Sequence, residues 1–318
     1  MDAKRANDLL RHITQDKDCG LTMVTRLPLA DCIYLVNVIL PKCLKEAQDK
    51  NNENDTGFFN EMINRYYPIA IQKIKNTERL WIAYSDLTGY PYMLDRDLII
   101  LYNYSENQSI QKKLNMAGYR VVFGGLDQDT FKMEVGHMYR NGYKRIRFMD
   151  GKSEPFIVDR EDIYAYDDFY SDDYMTNPAC SAAMINYFQE LRKQAPTKER
   201  ASMIKQREDL MFQAMVESEF MVPCIKTEND EEVEIQLPFI DVTQRVAEKQ
   251  EDEKVIALPA FTDGYEMNKC YKEHQEHMLY TFNDLMQLVN ELDTSGIIID
   301  CLGISFFMRK NVMKQVNR

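Results

Sequence analysis

The sequence predicts an α+β protein in which one structural unit, a small mixed or antiparallel sheet flanked by helices, occurs twice in tandem. Three observations predict it. A helix followed by a hairpin near the C-terminus recurs in the first half with the same internal spacing. Apolar blocks upstream of the two patterns match in the same order. Strand-like runs and helical stripes mix without strict alternation, which points to α+β rather than to a doubly wound sheet.

Residues 1–60 lie outside the repeated pattern and read as helical. Leu27 opens a segment carrying Val36, Val38, Ile39 and Leu40, and the polar stretch 48–57 (QDKNNENDTG) reads as a break. The first unit is expected over 61–165. Its strand candidates are 74–83, ending LWIA, and 98–104 (LIILYNY), with Pro91, Tyr92 and Met93 between them. Gly124 and Gly125 read as a turn before a helix whose buried stripe is Phe131, Val135 and Met138. Gly142 ends that helix, Ile146 and Phe148 mark a strand, and Asp150-Gly151 is a hairpin turn before the strand 156–158.

A helical linker follows over 166–196, with Met184, Tyr187, Phe188 and Leu191 on one face. Pro196 marks a new helix start, and that helix carries Leu210, Met211, Ala214 and Met215 into the second unit, 197–318. There, 214–223 ends FMVP, 238–240 answers 91–93, and VIALPAF at 255–261 answers 98–104. Thr281 opens a helix with the stripe Leu285, Leu288, Val289 and Leu292. Gly296 is expected in the left-handed position after it. A strand at 297–299, a turn at Gly303 and a strand at 306–308 complete the unit. The offsets between matched blocks are 140, 147, 157 and finally 154. Their growth follows two acidic insertions in the second unit, 228–234 and 248–254, which belong in exposed loops.

Composition narrows the function. The 318 residues are 45% hydrophobic and 28% charged, with a formal charge of −12. That is globular composition. An acidic chain is unsuited to phosphate backbones or anionic lipid surfaces, so no nucleic-acid or membrane partner is expected. Residues 1–18 are charged throughout and lack the apolar stretch of a signal peptide, so none is expected, and no window approaches the roughly 20 apolar residues of a membrane span. The seven cysteines are odd in number and form no CxxC pair, so no disulfide framework is expected and a reducing, cytoplasmic setting fits.

The blocks FMVPC at 220–224, VIALPAFTD at 255–263, the helix 282–292 and GIIIDCLG at 296–303 resemble, in order and spacing, the N-terminal domain of the SseB family. That family is named for a bacterial enhanced-serine-sensitivity protein. The resemblance covers about 110 residues, and the first unit follows the pattern more faintly, with Tyr104-Ser105-Glu106 where the family tends to have Phe-Thr-Ser/Asp. It implies an α+β fold in bacterial cytoplasmic proteins of poorly defined role, and it brings no catalytic residues.

Candidate functional residues are few. Asp167, Asp168, Phe169, Tyr170, Asp172, Asp173 and Tyr174 form an acidic-aromatic run that is expected to be a solvated loop, a cation clamp or a surface for a basic protein partner. Phe261, Thr262 and Asp263 end a strand, where Thr262-Asp263 reads as the cap of the next helix or as a pocket wall. Cys270, His274 and His277 would share one helix face with ligands suited to zinc, although the polar neighbourhood favours a solvated face. His137 reads as a helix-surface residue. No GxSxG, GxGxxG or P-loop pattern occurs, and no cofactor is expected. The expectation is a non-catalytic protein that binds a protein partner or small ligand. The alternative is a hydrolase or transferase with its site in the groove between the units.

Overall fold

The computed structural model describes residues 3–15, 17–103, 105, 107–193, 199–228, 233–246, 254–271 and 276–316. The chain is α+β, as expected. It opens with helices α1 (Ala3–Gln15), α2 (Lys17–Arg26), α3 (Leu29–Tyr34), α4 (Leu40–Asp49) and α5 (Glu53–Lys75), a π turn over Leu35–Ile39 joining α3 to α4. The break expected at 48–57 is narrower than its polarity suggested. Asn52 caps α5 by accepting from the Asp55 N–H at 3.2 Å, so helix resumes at Glu53 and runs across residue 60. Met62, Tyr66, Ala70 and Ile74, one per turn, form its buried stripe.

The first unit comprises β1 (Leu80–Ser85), β2 (Met93–Leu94), β3 (Asp97–Leu101), α6 (Asn107–Met116), β4 (Val121–Leu126), α7 (Gln128–Asn141), β5 (Arg145–Met149), β6 (Phe156–Asp159) and α8 (Arg160–Ile163). Its sheet has the order β4-β1-β3-β5-β6, with β2 also on β3. β3 and β5 are parallel and the other pairs antiparallel. Alternation along the strands divides the core between two faces. Leu80, Ile82, Leu98 and Ile100 pack with α5 and α7, whereas Ala83, Ile99, Leu101 and Val121 pack with Ile110 of α6.

Helices α9 (Pro178–Leu191) and α10 (Arg200–Val216) lead into β7 (Glu219–Pro223), β8 (Ile225–Glu228), β9 (Val233–Gln236), β10 (Ile240–Asp241), β11 (Ile256–Ala260), α11 (Gly264–Asn268), β12 (His277–Thr281), α12 (Phe282–Glu291), β13 (Gly296–Ile299), β14 (Phe306–Arg309) and α13 (Lys310–Val316). Here the order is β10-β11-β13-β14, and β7 pairs with β12 and reaches the end of β11 through the bridge Met221–Phe261. Taken with that bridge, β12-β7-β11-β13-β14 with β10 on β11 has the same order and the same sense of pairing as the first sheet. Leu258, Ala260, Ile297 and Ile299 join the main core, whereas Ala257, Phe261 and Ile298 pack with Met267 of α11.

Several local expectations change. Gly124 and Gly125 are not a turn: they lie in β4 opposite Ile82 and Trp81, where Gly124 lets the Tyr84 ring approach. Gly142 does take the left-handed position after α7, at φ 75°. Its counterpart Gly296 instead opens β13, and the left-handed residue after α12 is Asp293. Leu191, Leu210 and Leu292 are exposed at the edges of their helical stripes. Pro196, Tyr104, Glu106 and much of the two acidic insertions lie outside the described residues.

α9 joins the units. Gln189 donates to and accepts from the Met93 backbone, and Arg192 donates to Leu87 O at 3.0 Å and to Ile304 O at 3.1 Å, one carbonyl from each unit.

Candidate functional site in the cleft between the units

α7 is fixed at both ends, by a capping box in which Asp127 and Thr130 satisfy each other's backbone N–H groups and by left-handed Gly142. Phe131, Val135 and Met138 bury its apolar stripe, which turns Glu134, His137, Arg140 and Asn141 toward the second unit. From that unit comes α11. Asp263 caps it, accepting from the Glu266 N–H at 2.8 Å, and the short helix presents Tyr265 and Glu266. Lys269 follows directly.

The floor where these elements meet is ionic. Arg140 Nη1 donates to Asp263 Oδ2 and Glu266 Oε1, each at 3.0 Å, with the side chains of all three residues 3% exposed or less. Tyr90 donates to the same Glu266 oxygen at 3.0 Å, and Lys269 donates to the other at 2.7 Å. The Tyr265 ring lies 4.0 Å from the Arg140 guanidinium carbon. Among the described residues Arg140 Nε has no hydrogen-bond partner. Gly303 makes the packing possible, because a Cβ there would collide with Glu266 and the Tyr90 hydroxyl. Above the floor, Tyr84 donates to Glu134 at 2.7 Å, and His137 Nδ1 lies 3.7 Å from the second Glu134 oxygen, with the ring 5.0 Å from Tyr265. These groups enclose a cavity of about 220 Å³ with Thr88, Gly89, Pro91 and Leu302.

The protonation balance follows from burial and pairing. Burial drives the Glu266 carboxyl up, but Lys269 and Arg140 outweigh it and hold Glu266 below the usual range. Glu134 is similarly buried yet held low by His137 and Tyr84. Asp263 is raised by burial, which Arg140 only partly offsets. Beneath it, Asp300 accepts from the Thr262 N–H and hydroxyl, both at 2.9 Å. Burial, then Glu266 and Asp263, push Asp300 well above its ordinary value. Buried ion clusters are weak devices for stability, because desolvating each ion costs several kcal/mol. They are common where a protein handles ligands.

Of the sequence-derived candidates Asp263 enters the floor of this cleft, and the others fall around it. Phe261 is core, Thr262 holds Asp300, and Asp263 caps α11 as expected while anchoring Arg140. The run 167–174 is a strap over α7 whose aromatic rings are not free anchors. Phe169 packs on Gly136, Tyr170 donates to Gly136 O at 3.1 Å, and Tyr174 stacks on Tyr170 while accepting from the Tyr265 N–H. Asp167, Asp168, Asp172 and Asp173 remain exposed. The helix face expected for Cys270, His274 and His277 does not form. Cys270 sits in the turn after α11, His277 begins β12 and His274 lies outside the described residues. Among the described residues no group of three or more His, Cys, Asp or Glu is placed to hold a metal ion, and no helix is long and apolar enough to cross a membrane.

Sequence reasoning missed His137, Glu134, Arg140, Tyr265 and Lys269. The available signal was polar residues at 134, 137 and 141 beside an apolar stripe, a spacing shared by any solvated helix face. No family model matches the chain, and no curated protein or solved structure matches it.

Proposed function

We propose that the protein binds a small polar ligand in the cleft between its two units, and that the units are diverged copies of one SseB-like unit in a cytoplasmic, reducing setting. The duplication is supported by the shared order and sense of strand pairing. The single observation that carries the binding proposal is the convergence of Glu134, His137, Arg140, Tyr265 and Lys269 from two separate units on one cavity. Larger grooves run along α10 and α13, one of about 620 Å³, but it is lined by the exposed Lys205 and Asp209 and the half-buried Glu208, which pair with one another.

The cavity, about 220 Å³, is smaller than the roughly 300–1,000 Å³ of pockets for drug-sized molecules. An occupant the size of an amino acid or small hydroxy acid fits it. Lys269 and His137 suit an anionic group, Glu134 suits a donor, and Tyr265 offers a ring face. Zwitterionic ligands satisfy all of these together. The protein-partner reading for the acidic strap is less well supported, because its rings are occupied internally. The enzymatic alternative shares the cleft: a His137–Glu134 pair is a general-base arrangement, and turnover of a bound compound would separate it from simple binding.

The test is a screen of small zwitterions and hydroxy acids by thermal shift and by the His137 ring signals in NMR, repeated on His137→Ala/Lys269→Met. A hit lost in the double variant supports the cleft. Binding that survives it overturns the proposal.

A further inference from the structure

Cys270 and Cys301 are 31 residues apart in sequence, yet their Sγ atoms lie 2.6 Å from each other. A disulfide bond measures about 2.05 Å, so closure needs only a small approach. The two cysteines come from the two segments that build the second unit's wall of the cleft. Cys270 directly follows Lys269, on the segment that also carries Tyr265. Cys301 directly follows Asp300, in the turn that carries Leu302 and Gly303. A covalent bond here would tie those segments together behind the cavity.

The environments of the two thiols differ in a useful way. Cys301 is buried, and burial, with Cys270 beside it, pushes its thiol up to about 12. Cys270 is half-buried and packs at the edge of the same small core. Cys270 is therefore the thiol an oxidant reaches first, and Cys301 is the resolving partner held against it.

We propose that Cys270 and Cys301 form a reversible disulfide that fixes the second-unit wall of the cleft, making the cleft responsive to peroxides. The bond formation stands on the geometry alone; its role as a control of ligand access rests on the cleft being a binding site. The Cys270 thiolate attacks hydrogen peroxide, breaking the O–O bond to give the sulfenic acid, and the departing hydroxide takes up a proton to leave as water. Cys301 sulfur then attacks the sulfenic sulfur, losing its proton as the S–S bond forms and a second water leaves. Two thiols are oxidised and one peroxide is reduced. A small thiol such as glutathione reverses the bond by exchange, being oxidised in turn to its own disulfide. One regulated pair differs from a structural disulfide framework, which the odd cysteine count does not lead one to expect.

The experiment uses the full chain, reduced and then treated with hydrogen peroxide. Intact mass and peptide mapping read the bond, and the His137 ring signals read the cleft through Tyr265. The expected result is loss of two hydrogens, a crosslinked peptide joining Cys270 to Cys301, shifted His137 signals, and reversal of all three by dithiothreitol. Cys270→Ser and Cys301→Ala should each abolish the crosslink and the shift; using both guards against one variant failing to fold. Absence of the crosslink in the folded wild type overturns the proposal. A crosslink with unmoved His137 signals overturns its coupling to the cleft. Ligand binding is measured separately in the reduced protein, so a failure there counts against the binding proposal and leaves the disulfide standing.

Discussion

Asp150 and Asp300 stand at the same place in the two units: each follows the parallel strand, β5 or β13, and opens the hairpin turn beyond it. They meet opposite fates. Asp150 accepts from the Lys152 and Ser153 N–H groups at 2.9 and 2.7 Å, and although burial pulls its carboxyl up, those donors hold it below the usual range. Asp300 is buried, bonded through Thr262 and flanked by two carboxylates, and is pushed well above it. The backbone plan is the same and the covering differs. The strand ends of the second unit lie near α7 of the first, which brings Arg140 to Asp263 and Glu266. The carboxyl ends of parallel strands are common ligand positions, and here only the second unit's end sits at the cleft. The difference also shows along the helices. The positions 154 residues beyond Glu134, His137 and Arg140 are Leu288, Glu291 and Thr294, so the second unit has neither the histidine nor the arginine there, and α12 ends at Glu291.

The largest break in this comparison is Arg140→Met. Removing the cation leaves Asp263 and Glu266 buried without it, which is expected to cost about 3–5 kcal/mol in denaturant unfolding. A change 154 residues on, Thr294→Val just beyond α12, loses one weak hydrogen bond, to Gly296 O, and should cost about 1 kcal/mol. The Glu266 contribution has a definite pH sign. Its folded value is depressed, so its stabilisation is present above its unfolded value and fades as pH falls through the folded one. The gap between wild type and Arg140→Met should therefore narrow in acid. A gap that widens in acid, or a loss under about 1 kcal/mol at neutral pH, would show that the cluster is not the charged assembly described.

Gly303→Ala comes next. The added methyl meets Glu266 and the Tyr90 hydroxyl, so the floor must shift, at about 1–3 kcal/mol for overpacking, and the His137 signals should move with it. An unmoved cleft would mean that the turn 300–305 yields instead of the floor.

The fold was more legible than the site because its signals are periodic. Phe131, Val135 and Met138 mark α7 by spacing alone, and Asp150-Gly151 marks its hairpin by turn chemistry. Gly124 and Gly125 misled, since glycine in a strand that admits a neighbouring ring looks like glycine in a turn. The cleft depends on contacts such as Arg140 to Asp263, 123 residues apart. Nothing local to either residue announces the other. The aromatics of the strap were legible as a cluster, but their inward direction depends on Gly136 and Tyr265, which the run itself does not contain. Cys270 and Cys301 were visible as cysteines and not as a pair for the same reason.

Asp150→Asn and Asp300→Asn sharpen the comparison at a smaller scale, with opposite signs. Asp150 is half-buried and still screened by solvent, so losing its charge should cost about 1 kcal/mol. That cost applies at neutral pH and disappears in acid, where the wild-type carboxyl is protonated too. Asp300 has a raised folded value, so its contribution is favourable below its unfolded value and is lost as pH rises through the folded one. Asparagine keeps an acceptor for the Thr262 N–H and supplies a donor to the Thr262 hydroxyl. Asp300→Asn should leave the protein as stable or more stable at neutral pH, with the advantage shrinking in acid. Urea midpoints at pH 4 and pH 7 check both, and equal responses at the two positions would remove the distinction between the units.

The smallest expected effect is at the strap. Asp167, Asp168, Asp172 and Asp173 are exposed while the rings beside them hold α7 and Tyr265, so the two halves of the run have separable roles. Reversing all four charges with lysine should leave the unfolding midpoint nearly unchanged, as is usual for surface positions, and should leave the His137 signals in place. Asp168 is the one of the four bonded locally, accepting from the Ala165 N–H at 2.9 Å, so any small loss should trace to it in the single variants. If the quadruple variant instead shifts His137, the strap is transmitting surface charge through Tyr174 into the cleft. The acidic surface and the binding cavity would then be one device rather than two.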